Sequence, residues 1–170
     1  MACRGVLFAI DEKLVAQLKS MERDDLVDFI SNDVEEELFA EKPEYVAELD
    51  KSWDAIRRSF LANNDLTAKE GNYPLSHIIF GSEVLYGDND EDDYIITLKT
   101  PQQVQDISNA LEKFTKSEFK EKYYSIDEAS YGFPLVDEDC EYSWNWLKDT
   151  IPFWRRASKD NLFVIFTVDL

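Results

Sequence analysis

Apolar and polar positions change period along this chain, and the changes mark its elements. Arg4-Gly5-Val6-Leu7-Phe8-Ala9-Ile10 is a short continuous apolar run, which predicts a buried strand entering a helix near Asp11. Leu26, Phe29, Ile30, Val34 and Leu38 then follow helical spacing, surrounded by Asp24, Asp25, Asp28, Glu35, Glu36 and Glu37. Pro43 should end that helix or fall just beyond it. Leu49, Trp53, Ile56 and Phe60 predict the inner stripe of a further helix, and turn chemistry at Asn63-Asn64-Asp65 and Gly71-Asn72-Tyr73-Pro74 predicts a loop over 62–75. Ile78-Ile79-Phe80 and Tyr94-Ile95-Ile96-Thr97-Leu98 are strand candidates on either side of an acidic turn.

The second half carries clearer punctuation. In Thr100-Pro101-Gln102-Gln103 the threonine can cap, the proline suits the first helical position, and Gln103 can close a capping box. Val104, Ile107, Leu111 and Phe114 line one face of the helix that follows. Thr115-Lys116-Ser117-Glu118 offers a second box for a short helix through about Tyr124. Residues 126–140, with Gly132 and Pro134, read as irregular; Trp144, Leu147 and Ile151 predict a last helix that Pro152 should kink or interrupt. Leu162 to Val168 is the most strand-like run, and its unbroken apolar character predicts a central strand covered on both faces. Together these elements predict one α+β domain over 1–170. Its small mixed sheet draws on N-terminal, middle and C-terminal strands and is flanked by several helices.

Composition supports a globular chain: 44% of the 170 residues are hydrophobic and 14% aromatic, enough for a sizeable core. Charge changes the picture more. Thirty-six acidic residues against 18 basic ones give −18, a field that repels phosphate backbones and argues against nucleic-acid or anionic-membrane binding. The same field attracts basic proteins and speeds their encounter. No apolar stretch approaches the roughly 18 residues of a membrane helix, and the first residues lack the long apolar stretch and small-residue cleavage site of a secretory signal. Two cysteines, Cys3 and Cys140, make neither a disulfide framework nor a zinc set. A cytoplasmic chain with reduced thiols is expected. Nothing in the pattern sets an oligomeric state.

Leu49-Asp50-Lys51-Ser52-Trp53-Asp54, Tyr73-Pro74-Leu75-Ser76-His77-Ile78-Ile79-Phe80-Gly81, Thr100-Pro101-Gln102-Gln103-Val104 and Trp154-Arg155-Arg156-Ala157 follow one another along the chain. In that order they resemble the YfbM-like family, small bacterial proteins classed as a domain of unknown function, over nearly the whole length. The resemblance implies a compact cytoplasmic α+β domain with no established activity or cofactor, and it supplies no catalytic residues. Some members resemble immunity proteins, which protect a cell from interbacterial toxins. This chain is more acidic than the family pattern requires at 88–93 and 137–141.

The acidic stretch Asp88-Asn89-Asp90-Glu91-Asp92-Asp93 is open to three uses: a cation site, a solvated turn whose charge discourages edge pairing, or a docking patch for a basic surface. An EF-hand beginning at Asp88 would need glycine where Asp93 stands and glutamate where Lys99 stands, so that form of calcium site is excluded. His77 is the only histidine, which limits acid–base and metal chemistry. Cys140 lies among Asp137, Glu138, Asp139 and Glu141, anions that disfavour a thiolate nucleophile. No phosphate-cradling glycine pattern, nucleophile elbow or zinc motif is present, so no catalytic, cofactor or metal residue is assigned. Trp53 reads as core. Among Tyr142, Trp144, Trp146, Phe153 and Trp154, one exposed beside the 137–141 acids would suggest an interface.

The expectation is a non-catalytic binding module, an immunity protein that neutralises a basic toxin domain by occlusion. Its partner contacts would be Asp88, Asp90, Glu91, Asp92, Asp93, Asp137, Glu138, Asp139 and Glu141. The alternative is a small housekeeping enzyme with a pocket near His77, Glu83 and Trp53.

Overall fold

The computed structural model describes residues 3–61, 72–81, 83–87 and 92–170. Strand β1 (Gly5–Ile10) leads into α1 (Glu12–Ser20), with the Asp11 side chain accepting from the Leu14 amide at 2.8 Å as the cap. Helices α2 (Arg23–Phe29) and α3 (Glu35–Glu41) are joined by a π turn at Ile30–Val34. Strand β2 (Val46–Asp50) precedes α4 (Trp53–Phe60), and β3 (Glu83–Tyr86) precedes β4 (Tyr94–Lys99). Then come α5 (Pro101–Leu111), α6 (Lys116–Tyr123), α7 (Glu128–Tyr131), α8 (Asp137–Asp149), α9 (Ile151–Lys159) and β5 (Phe163–Asp169). Both predicted capping boxes are formed, at Thr100/Gln103 and Thr115/Glu118. The chain breaks between α8 and α9 at Thr150, with Pro152 in the first turn of α9, where its missing N–H has no helical partner to lose.

The sheet order is β2-β1-β5-β4-β3, which puts β5 at the centre as its apolar run predicts. Every neighbouring pair is antiparallel, so the expected mixed sheet is corrected to a purely antiparallel one. The two chain ends pair directly as β1 and β5, and no pair needs the parallel crossover that a mixed sheet would contain.

Period-two alternation divides the core. Leu7, Ala9, Val164, Phe166 and Val168 face a layer containing Ile56, Val104, Phe119, Leu147 and Trp154. Phe8, Ile10, Ile96, Leu98 and Ile165 face the other layer, with Val15, Leu18, Leu26, Ile30 and Leu38. The sheet is thus covered on both faces: α4, α5, α6, α8 and α9 on one, α1 to α3 on the other. On the second face Glu35 accepts from the Tyr94 hydroxyl at 2.8 Å and the Thr167 hydroxyl at 3.0 Å, tying α3 to the two strands.

Three local expectations are corrected. Leu49 lies in edge strand β2 rather than on the helix of Trp53, because Asp50 turns the chain with φ 47° between them. Ile78-Ile79-Phe80 is not a strand. A 3₁₀ turn at Leu75–His77 carries the chain over the sheet face, Ile78 and Ile79 are buried as plugs, and pairing begins only at Glu83. Residues 126–140 are more regular than predicted, since Asp127 caps α7 and Gly132, at φ 79°, ends it before α8 begins.

Candidate functional site

The described acids expected to meet a partner fall in two places. Asp92 and Asp93 lead into β4, while Asp137 to Glu141 form the first turns of α8; Asp88, Asp90 and Glu91 lie outside the described residues. Both places are at one end of the sheet. Tyr94 pairs with Asp169 there, Gly5 pairs with Asp50, and the Tyr142 hydroxyl of α8 donates to Asp50 at 2.8 Å. They sit toward opposite edges, so they do not form one continuous patch.

Much of this charge has an internal use. Asp92 is ion-paired with Arg23, whose guanidinium lies 4.3 Å from the centre of the Tyr86 ring, and this ties the start of β4 to α2. At Asp93 it is the backbone carbonyl, not the carboxylate, that accepts from the Leu170 amide at 2.8 Å. Asp137, Glu138 and Asp139 occupy the first turn of α8, where the helix dipole favours anions. Asp137 accepts from Lys120 at 2.7 Å and the Tyr124 hydroxyl at 2.6 Å, and these bonds hold its carboxyl below the ordinary range. Asp139 accepts from the hydroxyls of Tyr123 and Tyr131 at 2.7 and 3.0 Å. Glu141 pairs with Lys116. Glu138 is exposed and makes no ion pair among the described residues.

The sequence did not single out what sits beside these acids. Phe133 is 66% exposed, and Val136 and Tyr124 are 44% and 42% exposed. The Phe133 ring packs edge-on against Tyr131 at 5.5 Å, and Tyr124 reaches Asp137 at the start of α8. Gly132 and Pro134 flank Phe133 and keep it out of any helix, so it carries no periodic signal. These three exposed apolar side chains lie close in sequence to α7 and to the acids that open α8, and Tyr124 is bonded to one of those acids, Asp137. By contrast, none of the aromatics singled out between 142 and 154 is exposed. Trp144 packs on Phe114 and Phe119, and Trp154 is fully buried.

The residues of the enzyme alternative do not converge. Glu83 pairs across the sheet with Leu98 on the α1 face and forms an ion pair with Lys19 at 2.8 Å. Trp53 packs on Phe166 on the opposite face and donates from its indole to the Cys3 carbonyl at 3.0 Å. His77 is half-buried on that same side, with Ser76 Oγ 3.1 Å from its Nδ1; burial and the neighbouring Lys99 push its pKa down. Lys99 is fully buried, donates to the Ile79 carbonyl and to Thr97 Oγ1, and has its pKa driven well down by desolvation. Burial is the leading cause that raises the Cys140 thiol, with Glu141, Asp137 and Asp139 adding to it. Among the described residues, no group of three or more His, Cys, Asp or Glu is arranged to hold a metal ion, and no helix is long and apolar enough to cross a membrane.

An antiparallel sheet covered on both faces by helices defines an α+β protein of a recognised type. The chain belongs to the DUF1877 family, a domain of unknown function whose profile matches residues 1–167. Its fold is similar to that of YfbM from Escherichia coli, a protein of unknown function. The two share 20% identity at a TM-score of 0.61, covering 97% of this chain and 99% of that one. No curated protein matches the chain.

Proposed function

We propose that this chain is a non-catalytic, acidic protein-binding module, and specifically a cytoplasmic immunity protein that occludes the active site of a basic toxin domain. The observation that carries it is the exposure of Phe133, Val136 and Tyr124 next to the acids that open α8. Exposed apolar side chains with charged neighbours are the material of which protein interfaces are built. The net charge of −18 steers a cationic partner toward the molecule, and aromatic anchors then slow its release. Glu138 supplies a carboxylate already in place, whereas Asp137, Asp139 and Glu141 hold the platform rigid through α6 and α7.

The test is co-expression with the product of the adjacent reading frame, followed by size-exclusion chromatography at low salt and at about 0.5 M salt. The expected result is a complex that weakens at high salt, and cells protected from the partner's toxicity. A toxic neighbour that forms no complex and is not neutralised overturns the proposal.

A further inference from the structure

At the other end of the sheet, a cleft of about 630 Å³ opens between the end of β1, α1, and the helix that carries the π turn. That volume lies within the roughly 300–1,000 Å³ typical of small-molecule sites. Its floor is apolar, with Ile10, Leu14, Phe29, Val34 and Leu38 among the lining side chains. Its rim is anionic, with Asp11, Asp33, Glu37 and Asp160 against Lys13 and Lys42.

Most of the rim charges have partners. Asp11 caps α1, Asp160 accepts from the Tyr45 hydroxyl at 2.8 Å, and Lys42 sits 3.0 Å from Glu37. That last pair shows an ammonium group already seated on this wall, brought there by the chain itself. Asp33 makes no such contact among the described residues, and it lies within the π turn, a helix irregularity common at functional sites. Four carboxylates facing two ammonium groups leave the cleft net negative, within a molecule whose overall field already concentrates cations. An anionic ligand would be repelled, and a bare metal ion would gain nothing from the apolar floor.

We propose that this cleft binds a small organic cation with an apolar body, its ammonium group between Asp33 and Glu37 and its hydrocarbon on Leu14, Val34 and Leu38. The site is separate from the surface around Phe133 and stands or falls independently of the protein-binding proposal.

The probe is 2-phenylethylammonium, titrated into the full chain while methyl NMR signals of Leu14, Val34 and Leu38 are followed. Phenylacetate and 2-phenylethanol serve as the anionic and neutral counterparts. The expected result is saturable shifts with the ammonium, binding at least about tenfold weaker for both counterparts, and about a threefold to tenfold loss in Asp33→Asn. Leu14→Trp, which fills the cleft, should abolish the shifts while the rest of the spectrum stays folded. No saturation by about 10 mM overturns the proposal. So does equal binding of phenylacetate or 2-phenylethanol, or binding unchanged in either variant.

Discussion

The Tyr123 hydroxyl donates to the Asp139 carboxylate at 2.7 Å, across the contact between α6 and α8. Tyr131 of α7 donates to the same carboxylate at 3.0 Å, so one acid side chain gathers three helices, and Tyr131 in turn carries the Phe133 ring. Hydrogen bonds to a charged acceptor contribute more than neutral ones, about 1.5–3 kcal/mol each where water is excluded. Asp139→Ala should therefore lower unfolding stability by about 2–4 kcal/mol in urea titration. Glu138→Gln, at an exposed position, should change it by less than about 0.5 kcal/mol.

All eight tyrosines have pKa values raised above the ordinary phenol value. For Tyr73, burial and then the bond to Asp106 push it up to about 12. A phenol whose pKa is higher in the folded state keeps its full stabilising contribution below about pH 10 and loses it as pH rises through the folded value. Ultraviolet titration should show phenolate appearing later in the folded protein than in urea, with stability falling above about pH 10. Coincident titration curves would refute this.

Lys99 has the opposite sign. Its folded pKa is depressed by desolvation, so between that value and about 10.5 the unfolded chain binds more protons and stability rises with pH. In Lys99→Met the Ile79 carbonyl keeps the Thr97 hydroxyl, which donates to it at 2.8 Å. The variant should be more stable than the parent at pH 7 by about 1 kcal/mol or more, and the gap should close toward about pH 10. Chemical denaturation at both pH values measures it.

Gly5→Ala tests the packing of the first strand. A Cβ there would stand 2.7 Å from Phe166 Cε2 and 2.9 Å from Trp53 Cβ. Overpacking of this kind destabilises by about 1–3 kcal/mol, which a lowered melting temperature would report.

Phe133→Ala removes the centre of the proposed partner surface. Its high exposure predicts a stability change within about 0.5 kcal/mol, while partner affinity should fall at least about tenfold, mostly through faster dissociation. Equal affinity of the two forms would place the interface elsewhere.

The sequence by itself determined the elements whose signals are local. The capping boxes at Thr100 and Thr115, the Pro152 break and the unbroken apolar run of β5 are short-range physics, and each recurs in the structure. Tertiary structure alone decided what depends on partners distant in the chain. Edge strand β2 exists because β1 offers it a ladder, and Ile78-Ile79-Phe80 packs as a plug because β4 pairs instead with Glu83–Tyr86. The acids of α8 are the sharpest case. Their charge is visible in sequence, but whether a carboxylate faces a partner or a tyrosine is settled by helices that meet only on folding. Phe133 shows the converse, since exposure is a property of the packed surface and leaves no period to read.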